Sequence, residues 1–170
     1  MPDMRRLLYA FVLLAFVYVS APTPSEAQVG LTVGPRVSVD VGDDLGGDDA
    51  TLALGADVRI SSMVLPFTVN PTYDYYFIDG DASFSTLNLN ILFPFGIDNR
   101  IFTPYSGVGA GAAFFSNGDT QSDVGLNVLA GAEFGLLPFR PFVELGYSVY
   151  FTEGDNLNAF GLRGGLLFGL

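Results

Sequence analysis

The chain has no cysteine, histidine, lysine or tryptophan, and its 7 bases, all arginine, face 18 acids for a formal charge of −11 over 170 residues. Without cysteine there is no disulfide framework, thiolate metal site, cysteine nucleophile or lipobox acyl anchor. Without histidine, most zinc sites and every Ser-His, Cys-His or His-Asp catalytic arrangement are excluded. The acidic balance excludes nucleic acid as a partner, because a polyanion requires a basic patch. No cofactor and no metal are expected. What is present is apolar and small: 49% hydrophobic residues, 21 Gly, 16 Phe and 8 Tyr. The length suits one domain with a sizeable core.

Residues 1–27 read as an address. Arg5 and Arg6 precede the apolar run 7–19, and Ser25-Glu26-Ala27 places small residues at both cleavage-determining positions. This is the three-part pattern of a cleaved secretory signal peptide. The run is shorter than the roughly 17–25 residues of a membrane-spanning helix. Residues 28–170 then form one domain.

From Val29 onward no window has the period of an amphipathic helix, and alternation of apolar with small or polar residues recurs eight times, over 29–41, 51–62, 67–78, 83–93, 105–115, 124–135, 141–151 and 159–170. This is the strand period. In the first stretch Val37, Val39 and Val41 oppose Arg36, Ser38 and Asp40; in the seventh Val143, Leu145 and Tyr147 oppose Glu144 and Gly146. An even number of strands without helix predicts an all-β, eight-stranded antiparallel up-and-down barrel.

Three features predict that the apolar face points outward, into lipid. The polar face is mostly Gly, Ser, Thr and Asn, unlike the mixed charges of a soluble exterior, and small residues suit the crowded lumen of eight strands. Aromatic residues sort to two ends of the apolar face, with Phe67, Phe93, Phe134 and Phe168 at one and Phe77, Phe114, Phe151 and Phe160 at the other. Two such belts mark the water interfaces of a membrane barrel. Finally, the connections 42–50, 79–82, 117–123 and 152–158 carry Asp43, Asp44, Asp48, Asp49, Asp79, Asp81, Asp119, Asp123, Glu153 and Asp155 without a base, whereas 63–66, 94–103 and 136–140 are Pro- and Phe-rich and carry Arg100 and Arg140. One end of the barrel is therefore strongly acidic.

Pro104-Tyr105 followed by Gly107-Val108-Gly109-Ala110-Gly111, the run Asn127-Val128-Leu129-Ala130-Gly131-Ala132-Glu133-Phe134-Gly135, the run Arg140-Pro141-Phe142-Val143-Glu144-Leu145-Gly146-Tyr147 and the tail Leu166-Leu167-Phe168-Gly169-Leu170 make residues 29–170 resemble the small outer-membrane β-barrel proteins of the OmpA/OmpX type. The resemblance implies the outer membrane of a Gram-negative-type bacterium, both termini in the periplasm, acidic loops at the cell surface, a monomer, and outer-membrane lipid and the assembly machinery as partners. In the family the last residue is usually aromatic and helps that machinery recognise the strand; Leu170 departs from this. Related barrels that are lipid A deacylases, palmitoyl transferases or omptin proteases use a histidine, so a chain without one is expected not to be an enzyme.

The inward face carries the chemistry. Arg36, Arg59 and Arg163 lie in phase with Asp57, Asp74, Glu133 and Glu144. Such a set either forms a fixed plug of arginine–carboxylate pairs or rearranges to open an ion path, and the narrow bore of eight strands favours the plug. Asp43, Asp44, Asp48 and Asp49 offer oxygens to a weak cation site but lack the spacing and closing Glu of a calcium loop; a solvated acidic surface is the simpler account. Tyr73, Tyr75 and Tyr76 suggest either a ligand patch or part of a lipid-interface belt, and the belt is the plainer expectation. The expected function is a structural or surface-interaction role in the envelope. The alternatives are a narrow channel or carrier for small or hydrophobic molecules and a secreted soluble barrel with an apolar ligand inside.

Overall fold

The structure, a computed structural model, describes residues 29–42, 50–78, 80, 82–95, 101–117, 119–135, 138–152 and 156–169. Eight strands follow one another: β1 (Val29–Val41), β2 (Thr51–Ser62), β3 (Thr68–Tyr76), β4 (Ser83–Pro94), β5 (Phe102–Asn117), β6 (Asp119–Phe134), β7 (Phe139–Phe151) and β8 (Leu157–Gly169). Each pairs antiparallel with the next, and β8 pairs with β1 to close the barrel, so no strand is left at an edge along the shared height.

The period of two sets the faces. On β1 Val37, Val39 and Val41 are exposed while Arg36, Ser38 and Asp40 are buried, and the same alternation runs around the wall through Leu54, Leu89, Val128, Leu145 and Leu162 outside and Asp57, Asn90, Asn127, Glu144 and Arg163 inside. A barrel with methyl groups outside and charge inside is the reverse of a soluble ligand-binding barrel, whose exterior could not carry so large an apolar surface in water. That distribution overturns the soluble alternative.

Proline interrupts the ladder twice. Pro35 lies where the β1–β8 pairing skips from Val33 to Arg36. Pro71 lies where the β2–β3 pairing skips from Asp57 to Ile60; it offers no N–H, and the carbonyl of Val58 accepts from Asn70 Nδ2 at 2.8 Å. At the β3–β4 connection Gly80 takes φ 88°, a left-handed conformation that costs glycine nothing.

The β5–β6 hairpin corrects one expectation. Residues 117–123 were expected to be a connection, yet pairing continues to Asn117 opposite Asp119, and 119–123 belong to β6. These residues are polar on both faces, so no alternation marks them as strand, but the hairpin ladder carries them beyond the end of β7, whose pairing with β6 stops at Val124 opposite Phe151.

The predicted aromatic sets fall at opposite ends of the outer face. Phe93 and Phe168 at one end, and Phe77, Phe151 and Phe160 at the other, are exposed; Phe67, Phe134 and Phe114 are half-buried. Phe67 meets Phe93 edge-on at 6.4 Å, and Phe134 meets Phe102 at 5.5 Å. With roughly 3.3 Å per residue and a tilt of about 40°, the distance from Phe160 to Phe168 is about 20 Å of barrel height and that from Phe102 to Phe114 about 30 Å, bracketing the roughly 25 Å apolar band of outer-membrane barrels.

Candidate functional site

The lumen is filled in three layers. Nearest the acidic connections, Ala53, Tyr76, Phe84, Ala113, Tyr150 and Ala159 form an apolar cluster with Ile78 and Leu157 against it. Toward the opposite end, Leu92, Tyr105 and Leu129 form a second cluster, and Phe142 and Leu167 are also buried there. Charge lies between them.

The sequence placed Arg36, Arg59 and Arg163 with Asp57, Asp74, Glu133 and Glu144, and the structure brings all seven together. Arg59 lies toward the Leu92, Tyr105 and Leu129 cluster, with Nε 3.1 Å from Asp57 Oδ1, Nη1 3.1 Å from Glu133 Oε2 and Nη2 donating to the Tyr105 hydroxyl at 3.0 Å. Its guanidinium also stacks on the rings of Tyr105 (4.8 Å) and Phe142 (4.5 Å). Asn70 Nδ2 donates to Asp57 Oδ1 at 2.9 Å, Asn90 donates to Asn70 at 3.2 Å, and Asn127 donates to Asn90. A glycine opposite this ladder makes room for it: a Cβ on Gly109 would fall on the Asn90 side-chain oxygen.

Arg36 occupies the centre. Its Nη1 lies 3.4 Å from Asp57 Oδ2, its Nη2 3.8 Å from Glu144 Oε1, and its Nε 3.0 Å from Asp74 Oδ1, close enough for an ion pair although not aligned as a hydrogen bond. Ser38 Oγ donates to Asp74 Oδ1 at 3.2 Å.

Arg163 is held more loosely. It stands 3.6 Å from Asp40 Oδ1 and 3.7 Å from Glu144 Oε1, and neither contact has hydrogen-bond geometry. The remaining oxygens are better served, since the Tyr76 hydroxyl donates to Asp40 Oδ2 at 2.7 Å and the Tyr105 hydroxyl to Glu144 Oε2 at 3.1 Å. Arg163 Nε and Ser148 Oγ are buried without a hydrogen-bond partner.

Asp40 is the member that sequence reasoning missed. It lay on the polar face of β1 and needed only to be counted. With it, Arg36, Arg59 and Arg163 meet the fully buried Asp40, Asp57, Asp74 and Glu144, while Glu133 is shared with Arg140, whose side chain is 51% exposed. The set carries one more acid than base. Tyr76 is a correction: it is buried in the lumen and bonded to Asp40, apart from Tyr73 and Tyr75, because it falls in phase with Asp74 on the inward face. Tyr73 and Tyr75 are exposed on the outer face, and the latter packs edge-on against Phe77 at 5.8 Å. Asp43, Asp44, Asp48 and Asp49 lie outside the described residues, as does Leu170.

A closed eight-stranded barrel, lipid-like outside and salt-bridged within, defines a small membrane barrel. Among solved structures the chain is similar to the Neisserial surface protein A (13% identity, TM-score 0.63, covering 84% of this chain and 97% of that one) and to the N-terminal β-barrel domain of Pseudomonas aeruginosa OprF (14%, 0.55, 83% and 100%). It is also similar to the outer membrane enzyme PagL (12%, 0.53, 78% and 97%). At these identities the likeness is one of fold: the chain has the architecture of the small eight-stranded outer-membrane barrels. No family model and no curated protein matches the sequence.

Proposed function

We propose that this chain is an outer-membrane barrel with a structural or surface-interaction role in the cell envelope, and that its lumen is a closed plug. The observation that carries the reading is the filled lumen: a charged layer pinned by Arg36, Arg59 and Arg163 lies between two apolar layers. No free bore is needed to explain any of these side chains. The exposed apolar band calls for outer-membrane lipid as its solvent, and the sorting of acids to one end supports acidic loops at the cell surface with both termini in the periplasm. Residues 1–27 act as the export signal, the assembly machinery inserts the barrel, and the protein works as a monomer without catalytic chemistry, since histidine is absent.

A narrow channel is the second reading, favoured by the loose contacts of Arg163 and the unpartnered atoms beside it. Membrane fractionation with epitope tags tests the first reading. The protein is expected to remain in the outer-membrane fraction until detergent is added, with a tag at Gly46 labelled on intact cells and one at Ile97 not. Release without detergent, or labelling at Ile97 alone, would overturn it.

A further inference from the structure

The turn between β2 and β3 is chemically out of place for a water-facing connection. Met63 is 80% exposed, Val64 73% and Leu65 48%, and Pro66 follows. From Ile60 to Tyr73 the sequence has no charged side chain. Two of the turn's backbone donors are met within it: Val64 N–H donates to Ser62 Oγ at 3.3 Å and Leu65 N–H to the Ser62 carbonyl at 3.2 Å, and Pro66 has no N–H. Exposed methyl groups over satisfied donors are what a segment in an apolar medium requires, because an unmet N–H there costs several kcal/mol.

The patch continues a surface already assigned to lipid. Ile60, the last apolar residue on the outer face of β2, leads into it and Phe67 leads out, and Phe67 packs on Phe93 of the aromatic set at this end. Phe95 and Ile101, at the neighbouring connection, are exposed as well. The opposite end of the barrel has the reverse composition, with acids in or next to every connection.

We propose that the 63–66 turn is a lipid anchor, inserted into the acyl–headgroup boundary of the leaflet nearest the Pro-rich connections. The apolar band therefore extends past the end of the wall on the β2–β3 side, which fixes how deep the barrel sits on that side. The inference rests on the membrane reading above. Continuity with the lipid-facing band selects lipid over a protein partner.

Because the chain has no tryptophan, one introduced indole reports alone. Val64→Trp, Phe93→Trp in the belt and Asn117→Trp at the far hairpin are refolded as full chains into phosphatidylcholine vesicles with and without brominated acyl chains. Val64→Trp is expected to lose most of its emission to brominated lipid, as Phe93→Trp does, and to resist aqueous acrylamide; Asn117→Trp should do the opposite. Since indole itself favours interfaces, Val64→Cys, then the sole thiol, serves as a second reporter and should react with a water-soluble maleimide far more slowly than Asn117→Cys. Aqueous access at position 64 equal to that at 117 would overturn the anchor. So would shielding from both quenchers, which would mean that protein covers the turn. Failure of Phe93→Trp to be quenched by brominated lipid would instead overturn the membrane reading itself.

Discussion

Two arginines in the same lumen are held in different ways. Arg59 has a partner on each nitrogen within 3.1 Å and packs on two aromatic rings, whereas Arg163 stands 3.6–3.7 Å from two carboxylates and keeps an unpartnered Nε. Both pay the desolvation of a buried charge. Only Arg59 recovers it through short, aligned contacts. The half of the plug around Arg59 is thus the structural pin, and the half around Arg163 is where rearrangement is cheapest. Asp40, the acid left uncounted by the sequence, belongs to the loose half, and so does the excess negative charge.

The difference can be broken most directly at Arg59. Arg59→Ala takes from Asp57 and Glu133 their 3.1 Å arginine contacts and removes the guanidinium packed on Tyr105 and Phe142, and should cost about 3–5 kcal/mol in reversible unfolding from lipid vesicles. Val128→Arg, which tests the outer face in the same assay, should cost about 2–4 kcal/mol. Arg163→Ala should cost less than Arg59→Ala, about 1–3 kcal/mol, since no aligned hydrogen bond is lost. Equal losses at the two arginines would erase the distinction between the halves. The smallest effect is expected from Asp40→Asn: the Tyr76 hydroxyl keeps an acceptor and the surplus charge disappears, so stability should change by no more than about 1 kcal/mol. A double-mutant cycle of Arg59 with Asp57 should likewise give a larger coupling than one of Arg163 with Asp40.

Legibility in the sequence follows the contrast between faces. Arg36, Asp57 and Glu144 could be read as inward because each alternates with valine, leucine or alanine on the outer face. Tyr76, Leu92, Phe142, Tyr150 and Leu167 could not, because near the strand ends both faces are apolar and the period of two fades, and Phe84 could not because Ser83 and Ser85 flank it and reverse the polarity of the faces. Those residues build the two apolar layers that cap the charges, so the polar half of the plug was visible and the apolar half was not. The top of β6 was lost for the opposite reason, since 119–123 are polar on both faces. Contact lengths are not encoded in spacing at all: Arg59 and Arg163 look equivalent until their neighbours across the barrel are known.

The central claim, a lumen closed by two apolar layers and the charged network between them, is tested most directly by single-channel recording of the purified unmutated protein in a planar bilayer. The account predicts no steady conductance, with brief openings appearing only when Arg163 is replaced by Ala. A steady, high conductance in the unmutated protein would contradict it and make the barrel a channel.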